Sequence, residues 1–113
     1  MPGEPSYVEL GVPDVDAARR FYGSLLGWAP SAVGTGGEVE TRTLPIGMHG
    51  GDQEAQFELF FTVDDLDASA VQVTELGGSV LGDVHDSGDF GRWIECRDDQ
   101  GVRFGLRQPA VPR

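Results

Sequence analysis

The chain has 113 residues, which suits one domain with a buried core, and its single cysteine, Cys96, excludes an internal disulfide. A formal net charge of -11 excludes nucleic acid and anionic lipid as favoured partners, and the absence of lysine excludes Schiff-base and phosphate-loop lysines. Because the chain shows neither a signal region nor an apolar run of about 18 residues, we expect a cytoplasmic protein that does not span a membrane.

The first predicted elements are a strand and a helix. Residues 7–12 alternate between apolar and other side chains, which is the period of a half-buried strand. Asp14 then stands where a helix N-cap belongs, because its carboxylate can accept hydrogen bonds from the first free amides. Phe21 and Leu25 belong to the predicted apolar stripe of this helix, and Gly27 supplies its left-handed stop. Two strands are predicted after the helix, at 37–44 and 46–49.

The same signals recur 51 positions later in the chain. A second alternating segment spans 58–63, Asp65 stands at the next N-cap, and two glycines end the second helix. The identical pairs in the strand and helix that open each half are Val12 and Val63, Asp14 and Asp65, Asp16 and Asp67, Ala17 and Ala68, Leu25 and Leu76, and Gly27 and Gly78. Later strands are predicted at 80–84, 92–97 and 102–106, with a turn at 86–91.

The doubled pattern resembles the vicinal oxygen chelate superfamily, which includes glyoxalase I, bleomycin-resistance proteins, fosfomycin-resistance proteins and extradiol dioxygenases. The resemblance implies an α+β fold in which two βαβββ modules form one cupped mixed sheet with the helices on its convex side. On this interpretation residues 1–113 are one domain, with module one at about 6–50 and module two at about 56–108. A homodimer with a cavity in each cup is also implied. The segments that carry the resemblance are VPDVDAARRFYGSLLGW (12–28), VDDLDASAVQVTELGG (63–78) and GRWIECRDDQGVRFGL (91–106).

Strand alternation sorts the side chains of the predicted sheet into two faces. The apolar face should pack against the helices, and it carries Val8, Leu10, Val12, Leu59, Phe61, Val63, Ile94, Cys96, Val102, Phe104 and Leu106. The other face mixes aromatic rings with charged groups, which is the composition of a ligand pocket. The alternative is the wetted side of an open sheet. The candidate ligand-binding residues are Tyr7, Glu9, Glu58, Phe60, Thr62, Trp93, Glu95, Arg103 and Arg107.

A metal site is weakly supported by the same face. In metal-dependent members of the superfamily, ligands come from the first and last strands of each module. The resemblance places Tyr7, Glu58 and Gly105 at such positions, and His49 is the ligand-type residue near the end of module one. Because a stable divalent site needs at least three converging donors, we expect no metal cofactor. A divalent metal held by Glu58 and His49 remains the alternative.

No catalytic residue is assigned from the sequence. Glu9 and Glu58 could act as an acid–base pair if burial raised the pKa of one carboxyl group. The alternative, which we favour, is that they form ion pairs with Arg103 or Arg107. Cys96 is expected in the core, with no base to activate it.

The expected function is therefore binding rather than catalysis. The chain is similar to the bleomycin-resistance branch, which sequesters an aromatic or amphipathic organic molecule, such as an antibiotic or natural product, at or near the dimer interface. Tyr7, Phe60 and Trp93 would stack on such a ligand, and Arg103 or Arg107 would hold a carboxylate or phenolate on it. The alternatives are a glyoxalase-like metal-dependent lyase or isomerase or a dioxygenase, and an interaction domain with an empty cup.

Overall fold

The computed structural model describes most of the chain, namely residues 2–29, 31–33 and 36–111. The described residues divide into two compact units, 7–58 and 59–111, the second of which also includes 2–6. Apart from the ends of two strands, each unit is one module with the order strand, helix and three strands. The order of elements predicted from the repeat is therefore confirmed.

Module one contains a four-stranded sheet and one helix. Its strands lie in the order β2, β3, β4, β1, in which β4 pairs parallel with β1 and the other neighbours pair antiparallel. β3 ends well before residue 44, its predicted end. The Thr41 hydroxyl donates to the Leu44 carbonyl and accepts from the Leu44 N–H, and these bonds turn the chain. β2 was not predicted. The elements are β1 (Pro5–Gly11), α1 (Val15–Leu26), β2 (Ser31–Val33), β3 (Gly36–Val39) and β4 (Ile46–His49).

Module two repeats this arrangement with longer strands. Its strands lie in the order β5, β8, β7, β6, with β5 parallel to β8 and the other neighbours antiparallel. β6 continues past the predicted residue 84 and shifts its register between Leu81 and His85. A short 3₁₀ turn, Gly88–Phe90, lies in the predicted turn region. The elements are β5 (Gln56–Thr62), α2 (Leu66–Glu75), β6 (Ser79–Asp86), β7 (Arg92–Arg97) and β8 (Arg103–Gln108).

Both helices begin at the predicted aspartates. The Asp14 carboxylate accepts the Ala17 N–H at 3.1 Å, and the Asp65 carboxylate accepts the Ala68 N–H at 3.1 Å. Each bond satisfies one of the amides that the first helical turn leaves without a partner. α1 ends at Gly27, whose φ of 74° is the left-handed conformation that glycine adopts without a steric penalty.

Each module has its own core on the helix side of its sheet. Leu10, Val39 and Met48 pack with Ala18 of α1 in module one. In module two, the core residues are Leu66, Ile94, Cys96 and Leu106. Burying a large aliphatic side chain stabilises the folded state by about 1.5–3 kcal/mol, so these two clusters hold each helix on its sheet. The predicted burial of Cys96 is confirmed, and no helix in the described ranges is long and apolar enough to cross a membrane.

Some apolar side chains, among them Phe21, Leu25 and Val102, do not follow the predicted pattern. Phe21 and Leu25, assigned to the buried stripe of α1, are exposed, because α1 packs on its core through Val15, Ala18 and Tyr22 instead. Val102, assigned to the apolar face, is also exposed, because it precedes β8 and lies outside the strand alternation. The register that sets the two faces is otherwise confirmed for Leu10, Phe61, Ile94, Phe104 and Leu106.

Candidate functional site

The side chains opposite the helix in module one form a hydrogen-bonded chain, here called the acid–histidine cluster, which consists of Tyr7, Glu9, His49 and Asp52. The Tyr7 hydroxyl donates to one oxygen of the Glu9 carboxylate. The other Glu9 oxygen lies 2.5 Å from Nδ1 of His49, and Nε2 of His49 lies 3.2 Å from Oδ2 of Asp52. The imidazole therefore bridges two carboxylates.

Two glycines provide the space for this cluster. β1 and β4 are parallel neighbours, in which Glu9 lies beside Gly47 and Gly11 lies beside His49. A Cβ atom on Gly47 would collide with the Tyr7 hydroxyl and with Glu9. A Cβ atom on Gly11 would lie 2.8 Å from Nε2 of His49 and closer still to the Asp52 carboxylate. Any larger residue at either position would therefore displace a member of the cluster.

The two carboxylates favour the charged form of His49. Burial, the largest single effect, lowers the pKa of His49, but the hydrogen bonds to Glu9 and Asp52 and their negative charges together raise it above the usual 6.5. The side chain is 42% exposed, whereas Glu9 and Asp52 are 20% and 17% exposed. The two carboxylates thus favour the protonated form of the His49 ring, and His49 is more accessible than either Glu9 or Asp52.

The corresponding face of module two holds an aromatic cluster, defined as Phe60, His85, Phe90 and Trp93. The His85 ring stacks nearly parallel on the Trp93 indole, with centroids 4.2 Å apart. Phe60 makes edge-to-face contacts with both Trp93 and Phe90, at centroid distances of 5.8 and 6.3 Å. Edge-to-face and offset contacts of this kind each stabilise by about 0.5–1.5 kcal/mol beyond the burial of area.

Polar contacts fix two members of the aromatic cluster. The Trp93 indole N–H donates to the Ser87 hydroxyl at 3.0 Å. Arg107 places its guanidinium 4.2 Å above the Phe90 ring and donates from Nε to the Phe90 carbonyl at 2.7 Å. The short turn that carries Phe90 is therefore held against β8 by one side chain, through a cation–π contact and a hydrogen bond.

The charged residues next to this cluster are paired with one another. Arg103 of β8 forms a salt bridge with Glu95 of β7. Glu9, which we expected to pair with an arginine, bonds Tyr7 and His49 instead. The parallel register of β1 and β4 places His49 beside Gly11, two residues along β1 from Glu9 and on the same face of the strand.

The predicted ligand-binding residues differ in accessibility. Tyr7, Glu58 and Phe60 are only 9%, 5% and 3% exposed, so their rings and carboxylate present little surface. The six half-buried residues are Glu9, Thr62, Trp93, Glu95, Arg103 and Arg107. Sequence reasoning did not include Asp52, Ser87 or Phe90 in the site. The only sequence feature that pointed to a role for these three residues was their position in a glycine-rich segment directly after β4 or β6.

The donors present do not fit a divalent metal. Glu9 lies beside Gly47 in module one as Phe60 lies beside Gly105 in module two, so Gly47 rather than His49 is the counterpart of Gly105. Neither glycine has a donor side chain, and both ring nitrogens of His49 already bond carboxylates. Within residues 2–29, 31–33 and 36–111, no group of three or more His, Cys, Asp or Glu side chains is arranged to hold a metal ion.

Comparison with known proteins decides the family. A family model described as a glyoxalase-like domain matches residues 7–107. The chain belongs to the glyoxalase-like domain family. This membership and the matching solved folds confirm the predicted vicinal oxygen chelate superfamily and its α+β architecture.

Curated relatives of this glyoxalase-like chain come from actinobacteria. It is 34% identical to the "Putative glyoxylase CFP32" of Mycobacterium tuberculosis over an alignment of 119 residues. That alignment covers 94% of this chain and 46% of the relative. It is 30% identical to the anthracycline biosynthesis protein DnrV of Streptomyces peucetius over an alignment of 133 residues. That alignment covers 97% of this chain and 48% of the relative. The chain thus spans about half the length of the curated relatives that it matches.

Solved structures share the fold of this glyoxalase-like chain at low sequence identity. A hypothetical protein, BH1468 from Bacillus halodurans, matches with a TM-score of 0.70 and 10% identity over 100% of this chain and 99% of that chain. Methylmalonyl-CoA epimerase from Mycobacterium tuberculosis matches with a TM-score of 0.64 and 20% identity over 96% and 89% of the two chains. At these identities the likeness shows the fold alone.

Proposed function

We propose that this chain is a small-molecule binding protein that holds an aromatic or amphipathic organic ligand, such as an antibiotic or another natural product, without a catalytic metal. The observation that carries the proposal is the stacking of His85 on Trp93. The planar His85 ring already lies nearly parallel to the Trp93 indole at stacking distance. The same face of the indole can therefore accept a flat ligand of similar thickness.

A ligand would replace the His85 ring on the face of Trp93, since the two cannot stack on that face together. His85 is exposed and lies where β6 changes register, so its ring can leave Trp93 without disturbing the module core. Trp93 itself is held by its hydrogen bond to Ser87 and by an edge-to-face contact with Phe60, and it would stay in place while the stacking partner changes. A rigid aromatic anchor lowers the entropic cost of binding.

Charge and family support the same class of ligand. The net charge of -11 favours neutral or cationic molecules over anions through long-range attraction. One relative is named as an anthracycline biosynthesis protein, and anthracyclines are flat polycyclic aromatic compounds. We propose that this chain binds a compound with the same planar aromatic character.

We propose in addition that the chain forms a homodimer, as its resemblance to bleomycin-resistance proteins implies. The exposed apolar side chains of α1, Phe21, Leu25 and Leu26, support a protein contact of this kind. Sedimentation of the wild type and of a Leu25→Glu variant tests it. A dimer that dissociates in the variant supports the contact, and a wild type that stays monomeric at all concentrations contradicts it.

The ligand test uses a neutral planar probe, 1,8-dihydroxyanthraquinone, titrated by isothermal calorimetry. We expect binding by the wild type and at least a tenfold weaker affinity in Trp93→Leu, because the leucine side chain cannot stack. Trp28→Phe is the matched control, since Trp28 stacks on Tyr22 in module one and lies outside the aromatic cluster. Equal affinity in the wild type and Trp93→Leu, or no binding at all, contradicts the proposal.

The second candidate is a glyoxalase-like metal-dependent lyase or isomerase that uses Glu58 and His49. The name of the mycobacterial relative favours this class of enzyme, although the donors named above fit a metal poorly. Elemental analysis of the purified protein, followed by titration with Zn²⁺, Ni²⁺, Mn²⁺ and Fe²⁺, decides between the two. Tight binding of one metal per chain that is lost in His49→Gln would replace the binding proposal by the enzymatic one.

A further inference from the structure

Module two has a surface cavity at the C-terminal end of α2, here called the α2 groove. Its volume of about 360 Å³ lies near the lower end of the range of ligand pockets, roughly 300–1,000 Å³, so it suits one or two side chains better than a polycyclic ligand. Leu76 on its wall is 71% exposed and therefore open to a partner. The groove is lined by Val73, Leu76, Gly78, Asp98, Asp99 and Phe104.

The rim of the α2 groove is negatively charged. Asp99 is exposed and forms no salt bridge with any described residue. An ideal Cβ on Gly77 would lie 3.6 Å from the Cβ of Asp99, so Asp99 lies beside the end of α2. The last turn of α2 contains no basic residue, and the negative end of the helix dipole adds to the charge of the aspartates. The groove therefore favours a partner that combines apolar surface with a positive charge.

The exposed side of α1 in module one has this complementary character. It is here called the α1 patch and consists of Arg20, Phe21 and Leu25. Phe21 and Leu25 are 62% and 65% exposed and are four residues apart, so they lie on one side of the helix. Arg20 precedes Phe21, is exposed, and forms no salt bridge with the described residues. An edge-to-face contact with Tyr22 at 5.2 Å holds the Phe21 ring, so this apolar anchor is already ordered.

We propose that the α1 patch of one copy of this chain docks in the α2 groove of a second copy. In this contact Arg20 pairs with Asp99, and the Phe21 ring covers Leu76. The inference rests on the homodimer proposed above and names the surface that α1 meets. Two copies repel each other at long range, since each carries a net charge of -11, so a stable contact requires surfaces of locally opposite charge. The α1 patch and the α2 groove meet this requirement.

Because the α1 patch and the α2 groove are different surfaces, a two-fold symmetric dimer contains this contact twice. Each copy provides one patch and one groove. A contact between the two α1 helices alone would instead involve the same residues on both sides, and Asp99 would have no part in it. Charge reversal at Asp99 therefore separates the two arrangements.

Analytical ultracentrifugation over a concentration series tests the contact. Arg20→Glu and Asp99→Arg should each weaken dimerisation by roughly tenfold or more, because each places like charges opposite one another. Arg42→Glu and Asp83→Arg are the matched controls, since they make the same charge changes at exposed positions outside the two surfaces, and they should keep the wild-type dissociation constant. The urea midpoint of each variant confirms that it is folded.

An equimolar mixture of Arg20→Glu and Asp99→Arg gives the most specific test. In the mixed dimer the introduced glutamate meets the introduced arginine at one contact, and the native pair forms at the other, so dimerisation should return to near the wild-type affinity. A dimer that is unchanged by either variant, or a mixture that stays dissociated, overturns this contact and leaves the homodimer proposal intact. A wild type that stays monomeric at all concentrations overturns both and leaves the groove to a different occupant. Binding of the anthraquinone probe is measured separately and bears only on the aromatic cluster.

Discussion

Phe60 lies directly over Gly105, its neighbour on the parallel strand β8, and the ring covers the space in which a side chain at 105 would stand. An ideal Cβ on Gly105 would lie 2.6 Å from Cγ of Phe60 and closer to two other ring atoms. Phe60 is buried and meets both Trp93 and Phe90, so it cannot yield without disturbing the aromatic cluster.

Gly105→Ala should therefore destabilise the protein by about 1–3 kcal/mol, the usual cost of overpacking a close-packed site. Urea unfolding followed by circular dichroism measures the change. The double variant Gly105→Ala/Phe60→Leu should recover part of the loss, because leucine can move away from the new methyl group. If Gly105→Ala unfolds at the wild-type urea concentration, the described contact between Phe60 and Gly105 is wrong.

His85→Ala should raise the affinity for the anthraquinone probe by several-fold, because it removes the ring that competes for the face of Trp93. Calorimetric titration measures the change. His49→Ala in the other module is the control and should leave the affinity unchanged. A weaker affinity in His85→Ala would mean that His85 contacts the ligand instead of yielding to it.

Glu9→Gln should lower the pKa of His49, because it removes the charge of the carboxylate that lies 2.5 Å from Nδ1. Asp52→Asn should lower it by a smaller amount, since its bond to Nε2 is longer at 3.2 Å. Titration of the His49 imidazole signals by NMR measures both shifts. An unshifted His49 titration in both variants would show that neither carboxylate contacts the ring.

His49 should also make stability depend on pH. Its pKa is raised in the folded state, so its stabilising contribution is fully present below pH 6.5, the unfolded value, and is lost as the pH rises through the folded pKa. The urea midpoint of the wild type should therefore fall over that window relative to His49→Gln. Parallel pH profiles for the two proteins would contradict this account. Partial exposure of the ring keeps the effect small.

Asp14→Ala and Asp65→Ala should each destabilise the protein by about 1 kcal/mol, because each removes the acceptor for the first-turn amide of its helix. Thermal or urea unfolding of the single variants and of the double variant measures the loss. Asp83→Ala, an exposed aspartate outside a helix start, is the control. A loss no larger than that of the control would show that the caps do not form in solution.

Much of the fold could be predicted because its signals are local. Asp14 and Asp65 mark helix starts, Gly27 marks a helix end, and alternation along β1, β5, β7 and β8 separates core from non-core faces. Phe21 and Leu25 fit the helical stripe equally well and yet are exposed. Periodicity gives the spacing of apolar residues but not which part of the stripe meets the sheet.

The candidate sites depended on information that no local pattern contains. The sequence by itself determined that two matching half-folds exist, which residues share a face, and that Gly105 lacks a metal donor. Only the tertiary structure decided that His49 lies between Glu9 and Asp52, that Gly47 makes room for Tyr7, and that His85 covers Trp93. These relationships are set by the register of strands distant in sequence and by side-chain rotamers. A shift of one residue in the pairing of β1 with β4 would separate the members of the acid–histidine cluster, although the apolar alternation within each strand would stay the same.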